Sequence, residues 1–174
     1  GINNMNVLAG DRVVQPAGEA LELPAGGQYS FTAHEITILG GIDAPSSSLA
    51  LTAANPYGTL AQERAGLSTL TVGDGAAPNP VVIDVSGLFI NQTDAGSDSL
   101  PQFLDAGRIL LSAEGDLTLS SDSWLRANAG ALVYADGFEP GQGGSISVGI
   151  DYDLDPKALR LFGAMEAYVF DGDY

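Results

Sequence analysis

The sequence predicts an all-β chain wound as a coil of short parallel strands, and three observations carry that prediction. Apolar and polar residues alternate in short runs along nearly its whole length, which is the strand period of two. Gly, Asn, Asp or Pro usually separates the runs by three to eight residues. One stretch repeats at a fixed spacing: Gly107, Gly115 and Ser123 stand eight apart, as do Ile109, Leu117 and Leu125, and Leu111, Leu119 and Ala127.

In chain order, the clearest strands centre on Leu21–Leu23, Tyr29–Ala33, Ile36–Ile38, Leu49–Ala53 and Leu70–Val72. Val81–Val85, Ile109–Leu111, Leu117–Leu119, Ile146–Val148 and Leu159–Leu161 follow. They are too short and too close together for strands alternating with helices. In the eightfold stretch each strand offers two inward apolar positions and each corner a Gly or a small polar residue. A polygonal coil produces this pattern, because side chains alternate in and out along each side. Three sides of about eight residues make about 24 per turn, within the range of solenoid repeats. At about 22–24 residues per turn the 174 residues make seven or eight coils. At ~4.8 Å per strand the rod is about 35 Å long.

A β-sandwich or hairpin meander is the competing fold. It requires Asn-Gly or Asp-Gly turns between paired strands, and Asp74-Gly75, Asp136-Gly137 and Asp171-Gly172 qualify by type. Ala76–Pro80 and Phe138–Gly144, which follow the first two, are rich in Gly and Pro. They read instead as loops extruded from coil corners. Residues 55–66, 91–104 and 131–142 are the candidate side loops.

Composition narrows the function. The chain carries 22 acidic and 6 basic residues, a net charge of −16. That excess excludes nucleic acid as a partner, since phosphate contacts need Lys and Arg, and disfavours an anionic membrane surface. The hydrophobic share of 45% is too high for a disordered acidic tail. With no Cys there is no disulfide framework, thiolate metal site or Cys nucleophile. Scarce Lys with abundant Gly, Ser, Thr and Asp fits an extracellular protein. No apolar stretch reaches the ~18 residues of a membrane span. Residues 1–174 are expected to form one β-helix segment within a much longer chain, because Met5–Leu8 and Ala167–Phe170 both look like ongoing strands rather than polar caps. The same open ends would also allow coils to stack end to end into an extracellular fibre.

Three phrases carry a family resemblance. Pro80–Asn91, Asp105–Leu119 and Gly143–Val148, the last followed by Leu159-Arg-Leu161 and Tyr168, resemble successive coils of filamentous-haemagglutinin-type exoproteins over roughly residues 36–170. The resemblance implies a right-handed parallel β-helix (β-solenoid) exported by two-partner secretion through an outer-membrane barrel. It implies a surface or released protein of a Gram-negative bacterium: an adhesin, a biofilm factor, or a shaft that presents adhesive or toxin modules. Host or bacterial receptors and glycans are the partners it implies. It supplies no catalytic residues.

Chemical sites are few. Asp151-Tyr-Asp153-Leu-Asp155 places three carboxylates on one strand face, a spacing calcium could use. The EF-hand pattern fails, because Pro156 stands where its Gly belongs and Phe162 where its Glu belongs. Asp171-Gly-Asp173 is a weaker case of the same kind. No other metal or cofactor is expected. Trp124 beside Arg126 is expected to face outward, since Leu125 holds the inward register, and an exposed Trp there suits a glycan contact. Tyr57, Tyr134 and Tyr152 lie in or near loops. His34 beside Glu35 reads as structural. With no Gly-x-Ser-x-Gly elbow or His-Glu-x-x-His motif, and few bases to hold an acidic polysaccharide, no enzyme activity is expected.

Overall fold

The structure is a computed structural model that describes residues 3–55, 68–76, 80–92, 103–135, 137–150 and 157–169. These residues are all-β, with no helix among them, and the chain lays its strands into three sheets in rotation. The first sheet contains β1 (Asn4–Leu8), β4 (Gln28–Ala33), β7 (Ser48–Ala53), β11 (Arg108–Ala113) and β16 (Ser145–Ile150). The second contains β2 (Arg12–Gln15), β5 (Glu35–Ile38), β8 (Thr69–Val72), β12 (Leu117–Leu119) and β17 (Leu159–Leu161). The third contains β3 (Ala20–Glu22), β6 (Gly41–Asp43), β9 (Val81–Asp84), β13 (Ser123–Arg126) and β18 (Ala164–Glu166). Every neighbouring pair within these sheets is parallel, and each sheet stacks its strands in chain order. The arrangement is compatible with a β-solenoid.

Burial fixes the register. A slip of one residue would turn an entire apolar set outward, and the strands stack so that like packs on like. Ile36, Leu70 and Leu117 form one inward column, and Ile38, Val72 and Leu119 the next. Tyr29, Leu49 and Ile109 stack on the first sheet, as do Phe31, Leu51 and Leu111, while Ile42, Ile83 and Leu125 stack on the third. All are buried in one continuous core. Each large side chain buried there contributes about 1.5–3 kcal/mol of transfer free energy. The eightfold repeat of the sequence is one turn of this arrangement: β11, β12 and β13, with Ile109, Leu117 and Leu125 all fully buried.

Two expectations are corrected. Each sheet has five strands among the described residues, fewer than seven or eight coils. The repeat is not uniform. Gln28 lies 24 residues beyond its partner Asn4 and Ser48 lies 20 beyond Gln28, but Arg108 lies 60 beyond Ser48. Side segments take up the difference. One of them supplies the second correction. Residues 131–142 are not a plain loop, because β14 (Ala131–Tyr134) and β15 (Gly137–Pro140) pair antiparallel with Tyr134 opposite Gly137. That register leaves a two-residue connection, the shortest hairpin. β10 (Phe89–Gln92) pairs parallel with β14, so two insertions from successive turns form a small side sheet.

Glycine makes the junction possible. Gly130 N–H donates to the Leu104 carbonyl at 2.7 Å. A Cβ at Gly87 or Gly141 would collide with that same carbonyl, and one at Gly130 with Leu88 O. Backbones pass too closely here for any side chain.

Candidate functional site

The side sheet shapes a groove at the corner between the third and first sheets. It has a volume of about 440 Å³ and is lined by Gly26, Ser46, Phe103, Asp105, Glu139 and Pro140, among others. Two of the expected side loops therefore meet, one through Phe103 and the other through Glu139. Ser46 and Phe103 both have positive φ, 54° and 63°, a region non-glycine residues rarely occupy. The Ser46 hydroxyl donates to the Phe103 carbonyl at 2.7 Å and ties the two together. The Phe103 ring lies against Gly26, where a Cβ would strike it. One Asp105 carboxylate oxygen accepts from the Gln142 N–H at 2.7 Å. The groove thus combines an exposed aromatic ring, two carboxylates and a hydroxyl.

Trp124 and Arg126 come together on the outer face of the third sheet. Leu125 between them is fully buried, so the outward register is as expected. Their arrangement is not that of a bare platform. The Arg126 guanidinium sits 5.1 Å from the centre of the Trp124 ring, a cation–π contact. It also reaches Asp84 at 3.4 Å and Glu166 at 3.9 Å. The Trp124 indole N–H is buried and meets no acceptor among the described residues.

Arg126 stands in a column that sequence spacing conceals. Register places Glu22 beside Asp43, Asp43 beside Asp84, Asp84 beside Arg126, and Arg126 beside Glu166. Partial loss of water, then Asp84, then Glu22 hold the Asp43 carboxyl above its ordinary value. On the second sheet Asp116 goes the other way. The Ala158 N–H at 2.9 Å and the Arg160 guanidinium at 3.0 Å favour its charged form and lower its pKa.

The remaining candidates divide. His34 Nδ1 lies 2.9 Å from Ser68 Oγ, and Ser68 is fully buried, so this pair ties a corner and offers no accessible nucleophile. Asp151, Asp153, Asp155, Asp171 and Asp173 lie outside the described residues, as do Tyr57, Tyr152 and nearly all of 55–66. Among the described residues no group of three or more His, Asp or Glu is placed to hold a metal ion. Compared with known proteins, the chain matches no family model, no curated protein and no solved structure.

Proposed function

We infer that this chain is a structural shaft segment of a large secreted or cell-surface bacterial adhesin-type exoprotein, wound as a right-handed parallel β-helix. One observation carries the reading. In the fifth strands the core-facing side chains are uncovered: Leu159 is 37%, Leu161 42% and Met165 46% exposed. Their register partners one turn earlier, Leu117, Leu119 and Leu125, are fully buried. A further coil stacked on β17 and β18 would cover them, and repetition of one coil is how a shaft spans distance. Right-handed winding follows from the strong preference of parallel crossover connections. The phrases that resemble filamentous-haemagglutinin-type exoproteins support export across the outer membrane of a Gram-negative bacterium.

An antibody against this segment tests the reading on whole cells and spent medium of its source. The expected antigen is accessible outside the cell, on a polypeptide far heavier than the 17.8 kDa of this chain. An antigen confined to the cell interior at 17.8 kDa overturns it.

The corner groove favours a second reading, a glycan- or receptor-binding module in the side segments. Glycan-array binding that falls on Glu139→Gln but survives Trp124→Ala would support the groove. Silence of the parent protein would remove it.

A further inference from the structure

We propose that the outer face of the first sheet is a binding track for a neutral, hydroxyl-rich polysaccharide. Three outward positions on each of its five strands form this face. One column runs Asn4, Gln28, Ser48, Arg108, Ser145. The next runs Asn6, Ser30, Ala50, Leu110, Ser147, and the third Leu8, Thr32, Thr52, Ser112, Gly149. None of these is a carboxylate, on a chain with 22 of them, and Arg108 is the single charge.

The face is also hollowed. Asn4, Asn6, Gln28, Ser30, Ser48 and Ala50 line a trough of about 430 Å³, within the range of small-ligand sites. A second hollow of about 460 Å³ shares Ser48 with it and continues past Arg108 to Ser145. Together they make an open track across the strands, which suits a chain-like ligand.

The lining chemistry selects the ligand class. Asn, Gln and Ser side chains each both donate and accept hydrogen bonds, as sugar hydroxyls do. Neighbouring rungs hold one another in place: Ser30 Oγ donates to Asn6 Oδ1 at 3.0 Å and Ser112 Oγ to Thr52 Oγ1 at 3.3 Å. A cationic ligand would find no carboxylate here, and an anionic polymer would meet one Arg within a protein of charge −16. A second copy of the chain is the poorer occupant. Five strands at ~4.8 Å and six residues at ~3.3 Å give about 480 Å², against the ~800 Å² each partner gives a standard interface.

This track is separate from the corner groove and does not depend on the shaft reading. The test is affinity electrophoresis in native gels containing dextran, a soluble β-glucan or a galactomannan, with polygalacturonate as the charged control. At least one neutral polymer should retard the protein while polygalacturonate does not. The near-isosteric, exposed changes Asn6→Asp and Gln28→Glu, made together, should weaken retention at least tenfold with an unchanged thermal midpoint, and Glu139→Gln should leave it intact. No retardation by any neutral polymer, or equal retardation of the double variant, overturns the proposal. Concentration-dependent dimerisation of the parent that the double variant abolishes would give the face to a second copy and overturn it too.

Discussion

The outer faces of the first and third sheets are built on the same turns and over the same core, yet they carry opposite chemistry. The first presents Ser, Thr, Asn and Gln with one charged residue, while the third stacks Glu22, Asp43, Asp84 and Glu166 around a single Arg126. Inward residues are constrained by packing on both walls. Outward residues are constrained only by their column neighbours and by whatever binds there. Parallel register places side chains from distant parts of the chain about one strand spacing apart, so any repeated outward choice becomes a continuous stripe. The difference teaches that the coil itself tolerates either stripe, and that the neutral one is not required for folding.

The largest predicted effect tests the shared interior. Leu111→Ala beneath the first sheet and Leu125→Ala beneath the third each remove a fully buried side chain. Each should cost about 2–5 kcal/mol in a denaturant titration. Comparable losses would place the contrast between the walls wholly on their outer surfaces. A loss under about 1 kcal/mol at one site alone would mean that its wall repacks, and the comparison would fail there.

Much of this interior was legible from sequence, while the outer stripes were not. The alternating runs gave every strand they named, because strand period and burial act within a few residues. The eightfold stretch worked because β11, β12 and β13 follow one another with short corners. Coil number was overestimated because insertions between β7 and β11 break the period. The β14–β15 hairpin was read as a loop because Gly137, Pro140 and Gly141 outweighed the Ala131–Tyr134 run. Trp124 and Arg126 were placed on the correct face, but their ion pairs depend on Asp84 and Glu166, each about 40 residues away. Irregular spacing hides such columns from any fixed-period search. The corner groove was half visible, since two of its contributing segments were named but their meeting was not.

A smaller effect separates the two single arginines. Arg126→Ala leaves an unrelieved row of carboxylates and uncovers Trp124, so it should destabilise by about 1 kcal/mol at low ionic strength. The Arg126 side chain is itself 38% exposed, so screening limits the loss. In about 1 M salt, where the Debye length is about 3 Å, the difference should shrink to a few tenths. Arg108→Ala has no acidic column to expose and should change stability by less than about 0.5 kcal/mol at either salt concentration. Equal and salt-independent losses at both positions would show that column electrostatics do not distinguish these faces.

The smallest effect lies in pH. Asp43 is held above its usual 3.8 in the folded state, so the folded protein binds its proton before the unfolded chain does. Its repulsion with Asp84 and Glu22 therefore destabilises fully above the raised value, and stability is gained as pH falls from there to about 3.8. Asp116 has the opposite sign. Its bonds to Ala158 and Arg160 stabilise above about 3.8, and that contribution is lost as pH falls through the lowered value. Both carboxylates are substantially exposed, which limits each contribution to about a few tenths of a kcal/mol. Difference curves against the parent isolate these contributions from the other titrating acids. Asp43→Asn should raise the thermal midpoint at neutral pH and lose that advantage on acidification. Asp116→Asn should lower it at neutral pH and converge with the parent only below about pH 3.8. If the Asp43 variant instead loses stability at neutral pH, the acidic column is held together by interactions that need its charge, and the third sheet becomes the more specifically built of the two faces.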